Sequence, residues 1–379
     1  MFICRRYVQI GTVLLVLAGC ANTAPTPDVS QAQSPSRATT VTPTRIGPAT
    51  PSTDRQPAAP VTGALKPEVR AFAEQLAAER DLPLAPIVGA LSTAQYNATV
   101  ARLIAPAPPG RKIWRSWKTY RSRFVEPKRI KWGVQFWQEN EALLNQASQR
   151  YGVPSSIIAA IIGVETIYGR NMGSFRVLDA LTTLAFDYPD HPRRPERVKL
   201  FREQLADFIT LSLQDKLDLD ETGSYAGAIG MPQFMPGSIM RFAVDGDGDG
   251  HIRLNRSVRD AVMSVGNFLV EHGWQRGLPV FAPVRLPADP SALATGGLKP
   301  TQTWRSLQAA GAHVSAGASV QSWQDHPLGV VDLVEEARGT VEYRTATPNF
   351  FTLTQYNRSY FYATAVTDLA AALEARMPR

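Results

Sequence analysis

The stretch AAIIGVETIYGR, Ala159–Arg170, constrains this chain more than any other, because it sets one glutamate inside an apolar run. At helical spacing Glu165 shares a stripe with Ile158, Ile161 and Ile162, so its carboxylate is predicted to lie among buried side chains. A protonated carboxyl tolerates such a place far better than a charged one. Burial therefore raises the pKa and leaves an acid able to donate a proton near neutral pH. A glutamate near a helix end also serves as a structural contact or a salt bridge, and the helix alone does not separate these roles.

The N-terminal segment predicts the compartment. Arg5 and Arg6 precede the apolar run VQIGTVLLVLAGC, which is too short for a typical membrane-spanning helix and reads as a secretory signal over residues 1–19. Its ending, Leu17-Ala18-Gly19-Cys20, resembles a bacterial lipobox, in which the new N-terminal Cys20 carries lipid; an uncleaved anchor helix is the alternative. Ala21 in place of Asp implies, by the same resemblance, sorting to the outer membrane of a Gram-negative bacterium, with the domain on its periplasmic side. Cys4 and Cys20 are the only cysteines, so no intramolecular disulfide is available after cleavage and stability must come from packing.

From residue 20 to 63 the chain is rich in Pro, Ser, Thr and Ala with no aromatic residue, which predicts a disordered tether. Helical periodicity follows at KPEVRAFAEQLAAER, at VQFWQENEALLNQASQRYG, read as one helix, at RPERVKLFREQLADFITLSLQ and at RDAVMSVGNFLVEHGW. The segments PVFAPVRL and GVVDLVEEARGTVEYRT read as short strands, with the helical TQTWRSLQAAG between them. The fold class is thus mainly α, an α+β chain with a helical N-terminal part and a small β-containing subdomain. The formal charge of +7, of which Arg5 and Arg6 of the signal supply two, is a mild excess that suits an anionic polymer or lipid surface but is also common on ordinary proteins; no nucleic-acid partner is expected.

Gly163-Val164-Glu165-Thr166-Ile167-Tyr168-Gly169 resembles the GVET-x-[WY]-G signature of the membrane-bound lytic murein transglycosylase B family. WGVQFW (132–137), YGVP (151–154), VLDALTTLAFDYP (177–189), GSYAGAIGMPQFMPGS (223–238), DGDGDGHI (245–252) and NFFTLTQYNRSYFYATAV (349–366) agree with it in the right order. The resemblance spans roughly residue 120 to the C-terminus. It implies a lysozyme-like core over about 120–280, a small α/β subdomain over about 281–345, and a C-terminal segment, 346–379, that returns to the cleft, all within one transglycosylase domain over 64–379. It implies cleavage of the β-1,4 bond between N-acetylmuramic acid and N-acetylglucosamine with closure of a 1,6-anhydro ring, and Glu165 as the single acid and base.

The same resemblance makes Ser224 and Gln233 lining residues of the glycan groove, with Ser224 orienting either the N-acetyl group or Glu165, and brings Asn357 near the acid. Tyr120, Tyr188, Tyr356 and Tyr362 are expected to wall sugar subsites, since an aromatic face stacks on the apolar face of a pyranose. Asp179 and Asp187 lie downstream of Glu165, with structural roles expected for both. Arg197 stands where some members carry an aromatic, and Tyr168 where many carry Trp.

Asp245-Gly246-Asp247-Gly248-Asp249-Gly250-His251 reproduces the first half of an EF-hand, with acidic oxygens at positions 1, 3 and 5 and a backbone carbonyl at 7. Position 12 is Arg256, and by resemblance Asp260 supplies the late acid. A structural Ca²⁺ that clips the helices bearing Gln233 and Phe268 is expected; an unmetallated Asp-Gly turn is the alternative. No cofactor is expected for catalysis. The expected partners are peptidoglycan strands, the membrane through Cys20, and a cell-wall synthesis complex, with the chain itself a monomer. Two other functions remain open on the sequence: a muramidase that uses water, and a non-catalytic peptidoglycan-binding or scaffold lipoprotein.

Overall fold

In the computed structural model, which describes residues 65–106, 114–317 and 322–377, the helix carrying Glu165 is buried on every side. The N-terminal segment containing the signal, Cys20 and the tether lies outside the described residues. Helices and strands follow in the order α1 (Pro67–Arg80), α2 (Leu84–Ser92), α3 (Ala98–Ile104), α4 (Trp117–Phe124), α5 (Pro127–Glu139), α6 (Glu141–Tyr151) and α7 (Ser155–Thr166). Then come β1 (Phe175–Arg176), α8 (Val177–Phe186), α9 (Arg194–Leu213), β2 (Thr222–Gly223), α10 (Pro236–Phe242) and α11 (Val258–Glu271). The chain closes with β3 (Val284–Arg285), α12 (Trp304–Ala309), β4 (His313–Val314), β5 (Gly329–Glu335), β6 (Thr340–Ala346), α13 (Pro348–Tyr356) and α14 (Tyr360–Glu374).

A helix with apolar side chains all round has to be surrounded by protein. On α7 every residue from Ser155 to Thr166 is buried except Glu165, so the single stripe expected from the sequence is in fact the whole circumference. Helix α14 packs along α7, and α5, α6 and α11 cover its other sides. At the N-terminal end of α7, Ser156 Oγ donates to Glu374 Oε1 of α14 at 2.5 Å.

The segment expected as one helix over 134–152 is two. It breaks at Asn140, whose backbone leaves the helical region at φ −124°, ψ 25°. Asn140 N still donates to the Phe136 carbonyl at 3.1 Å and its Nδ2 adds a second bond to that carbonyl at 2.8 Å, which closes the C-terminal end of α5.

Residues 278–330 contribute a separate apolar cluster in which Trp304 meets Trp323 edge-on at 4.9 Å, with Leu278, Leu307, Leu328 and Val330 around them. The antiparallel β5–β6 hairpin joins this cluster to the main core by the alternation of a strand. Val330 belongs to the small cluster, Val331 to the main core, and Leu333 to a third cluster with Trp117 and Ala365. Beyond the hairpin, Asn349 is fully buried; its Nδ2 donates to the carbonyls of Gln275 and Leu278 and its Oδ1 accepts from Gln275 N. This pins the start of α13 to the exit of α11 and thereby sets where α14 lies.

Candidate active site

Helix α7 ends immediately after Glu165, in a turn that few sequences adopt. Ile167 and Tyr168 both have positive φ, 54° and 59°, followed by Gly169 at 78°. The left-handed region costs a non-glycine residue about 1–2 kcal/mol, more for a β-branched one, so this turn persists only because its surroundings hold it. Thr166 Oγ1 donates to the Met231 carbonyl at 2.9 Å and accepts from Gly169 N at 3.0 Å, tying the turn to the 224–234 loop. The Tyr168 ring fills a slot between Gly133 and Gly163, where a Cβ on either glycine would overlap it. Tyr168 is therefore a packing residue, 6 % exposed.

Glu165 keeps part of its surface open, yet its carboxyl is enclosed enough that burial pushes its pKa up to about 7. The opposing influence is the Tyr362 hydroxyl, which donates to Oε1 at 2.6 Å and lowers the pKa. Tyr362 sits on α14, 2 % exposed, with its ring stacked on Tyr356 at 6.1 Å. Tyr356 ends α13, is 3 % exposed, and donates from its hydroxyl to the Pro232 carbonyl at 2.5 Å. Tyr120 comes from α4; burial, then the charge of Glu165, pushes its phenol well above the ordinary range. The same two influences act on Tyr356 and Tyr362. Three phenols from three elements thus feel the charge of one carboxyl, and of these Tyr362 is the one that bonds to it.

The other expected site residues fall in different places. Ser224 Oγ accepts from the backbone N–H groups of Ala226 and Ala228 at 3.3 and 3.0 Å, which folds its own loop and leaves the hydroxyl proton to be donated. It makes no hydrogen bond to Glu165. Gln233 lies in a turn, not on a helix as expected, because its φ of 50° excludes helical continuation; its Nε2 donates to Met172 and Gly230 carbonyls. Asn357 caps α13 with its Oδ1 buried and unpartnered.

Tyr188 is in the core, 3 % exposed, stacked on Phe201 with its hydroxyl accepting from Arg197 Nη1. It has no open face for a sugar, and Tyr356 and Tyr362 form the floor under Glu165 and not a wall. Asp179 accepts from Gln95 N and Arg176, and Asp187 pairs with Lys66, the structural roles expected of them.

In the acidic loop the carboxylates of Asp245, Asp247 and Asp249 come within 4.8 Å of one another. Asp245 accepts from the N–H groups of Gly248, Asp249 and Gly250, and the Gly250 bond leads in holding its carboxyl below the usual range. A converging set of hard oxygens fits Ca²⁺. His251 gives the loop its seventh-position carbonyl, and its ring Nδ1 lies 3.0 Å from the Asp215 carbonyl. Asp260 stands apart from the three: it is 1 % exposed and both its oxygens are taken by backbone, Gly246 N at 2.9 Å and Arg253 N at 2.8 Å. Asp260 thus braces the loop from beneath and is not one of the converging carboxylates.

Sequence reasoning missed Thr166, Gly133 and the carbonyls of Met231 and Pro232, all of which fix the site. Thr166 and Gly133 stand inside recognisable motifs, but nothing about a hydroxyl or a glycine in sequence says what it will touch.

Residues 64–371 match the family model described as Transglycosylase SLT domain. Over 271 residues the chain is 39 % identical to membrane-bound lytic murein transglycosylase B of Escherichia coli (strain K12), covering 68 % of this chain and 67 % of that protein. Its fold is similar to that of soluble lytic transglycosylase SltB1 from Pseudomonas aeruginosa, with a TM-score of 0.71 and 38 % identity over 82 % of this chain and 99 % of that one. It is also similar to the Escherichia coli lytic transglycosylase Slt35 in complex with calcium, with a TM-score of 0.69 and 35 % identity over 82 % and 93 % of the two chains.

Proposed function

Because this chain belongs to the transglycosylase SLT family, we propose that Glu165 is the single acid and base with which it cleaves peptidoglycan. The chain is a lytic transglycosylase: it breaks the β-1,4 bond between N-acetylmuramic acid and N-acetylglucosamine and forms 1,6-anhydromuramoyl ends. The reaction needs a proton delivered to the departing glycosidic oxygen and a proton removed from the muramoyl C6 hydroxyl as that oxygen attacks C1. One group can do both in turn, and no water enters. The net proton change is zero.

One observation carries the assignment: an enclosed carboxyl at the end of α7 whose Oε1 is held by the Tyr362 hydroxyl at 2.6 Å, where burial pushes its pKa up to about 7. Near neutral pH it exists in comparable amounts as acid and as base. With Oε1 engaged by a donor, Oε2 is the oxygen that carries the transferable proton. Ordinary glycosidases place a second carboxyl about 5–10 Å away. Here Asp179 and Asp187 are committed to other partners, which supports the one-carboxylate reading.

Ser224 keeps a hydroxyl proton to donate, and Tyr120 is partly exposed. We assign these two to sugar contacts, Gln233 and Tyr356 to holding the 224–234 loop, and Asn357, whose Oδ1 is buried and unpartnered, to the packing at the end of α13. Asp245, Asp247, Asp249 and the His251 carbonyl are the ligands proposed for a structural Ca²⁺, which would neutralise three crowded carboxylates and stiffen the approach to α11. The lipobox at Cys20 supports anchoring on the periplasmic side of the outer membrane, in keeping with the membrane-bound Escherichia coli relative. Among the described residues no helix is long and apolar enough to cross a membrane.

The test is mass spectrometry of the soluble products released from peptidoglycan by the wild type and by Glu165→Gln. Muropeptides lighter by one water, without a reducible end and absent with the variant, are expected. Reducing ends, or lysis retained by Glu165→Gln, would overturn the assignment.

A further inference from the structure

The two elements that bring Tyr120 and Tyr362 to Glu165 are joined on their far sides by a closed polar ring. Arg121, next to Tyr120 on α4, donates from Nε to Asp368 Oδ2 at 2.6 Å. Asp368 lies on α14, the helix of Tyr362, and also accepts from Arg344 Nη1 at 2.6 Å and Nη2 at 3.3 Å. Arg344, on β6, donates from Nε to Glu342 Oε1 at 2.7 Å, and Glu342 Oε2 accepts from the Trp117 indole of α4 at 3.1 Å. The ring passes from α4 to α14 to β6 and back to α4. It holds two guanidinium groups and two carboxylates, so it is internally neutral, and the Asp368 side chain is 11 % exposed.

Such a ring matters because α4 has only eight residues and cannot hold itself as a helix. Its N-terminus is fixed by Glu335, which accepts from Ser116 Oγ at 2.6 Å and Lys118 N at 2.9 Å. Tyr120 sits at its middle, with aromatic contacts to Trp117, Phe124 and Phe361; beyond it Arg121 pairs with Asp368, and Arg129 of α5 donates to the Arg123 carbonyl at 3.2 Å. Asp368 is six residues beyond Tyr362, about 120° around the helix from it, so it can anchor α14 without touching the site.

We infer that Asp368 is a positioning residue: by joining Arg121 of α4 to Arg344 of β6 behind α14, it sets the placement of Tyr120 and Tyr362 around Glu165. The inference rests on the assignment of Glu165 as the catalytic acid and base. Asp368 itself touches no reacting atom; its removal lets α4 and α14 shift relative to each other, and displacements of an ångström at a reacting centre cost up to about a hundredfold in rate.

The experiment compares Asp368→Asn with wild type on soluble glycan strands, alone and in a Tyr362→Phe background, with thermal melts of every variant. Asp368→Asn is expected to lower kcat about tenfold with KM within about twofold, and in the Tyr362→Phe background the same change is expected to cost clearly less than in wild type, since only the displacement of Tyr120 is then felt. An unchanged kcat overturns the inference, as does an equal loss in both backgrounds, which would mean that Asp368 acts elsewhere. If Asp368→Asn does not fold, Arg121→Gln, on the more exposed partner, is read in the same way. Glu165→Gln separates the two readings: if it is active, the assignment of the site fails and this inference with it, whereas an inactive Glu165→Gln beside a normal Asp368→Asn overturns this inference alone.

Discussion

The hydroxyl of Tyr362 stands 2.6 Å from Oε1 of Glu165, although the two residues are 197 positions apart in the chain. Burial raises the carboxyl pKa and this hydrogen bond lowers it, so the value of about 7 is a balance between the two. Tyr362→Phe removes the lowering influence alone. The Glu165 pKa then rises further, the protonated acid persists to higher pH, and the alkaline limb of the pH–rate profile moves up. A loss of about tenfold in kcat is expected from the freed carboxyl orientation. A profile whose alkaline limb stays put or moves down would contradict this account.

The same pKa makes a statement about stability that needs no substrate. A carboxyl that titrates at 4.5 when unfolded and at about 7 when folded binds more protons in the native state across that window. Its contribution therefore falls as pH rises from 4.5 to 7, by up to about 3 kcal/mol. Glu165→Gln cannot titrate, so its stability relative to wild type should grow over that window and level off above it. Denaturant melts of both proteins at pH 4.5, 5.5, 6.5 and 7.5 measure it; a gap independent of pH would show that the folded-state pKa is not raised.

The acidic loop predicts a calcium-dependent melt. Ca²⁺ bound only by the folded chain at a hundred times its dissociation constant adds about 2.7 kcal/mol. Differential scanning calorimetry with and without EGTA should show that increment, and Asp247→Ala should erase it. Asp260→Asn should lower the calcium-free melt as well, because both Asp260 oxygens accept from the loop backbone without any ion.

Gly133 and Gly163 face the Tyr168 ring so closely that Gly133→Ala would overlap both its hydroxyl and Leu373. Overpacking of this kind costs about 1–3 kcal/mol. Adding Tyr168→Phe, which removes the clashing hydroxyl, should recover part of that loss and give a coupling energy in a double-mutant cycle. Additive effects would mean that the ring is not what the glycine accommodates.

Several features are legible in the order of residues alone. The helical periods of α1, α9 and α11, the β5 and β6 strands and the Asp-Gly spacing are local patterns, and local patterns are written in neighbouring residues. Glu165 stands out for the same reason, as one acid in an apolar run. The division at Asn140 is not legible there, because the helical periodicity runs through it and the chain changes direction at the backbone of that one residue.

The amino-acid sequence thus dictates which residues can do chemistry and which segments can be helices or strands. It takes the packed fold to put Tyr188 in the core while Tyr362 grips the acid, to set Asp260 beneath the metal loop as its brace, and to link α4 to α14 through Asp368. A side chain's reactivity depends on its dielectric surroundings and on partners far away in the chain, 197 positions away for Glu165 and Tyr362. Those surroundings are set by how helices pack, through bonds such as those of Asn349 that no local period records.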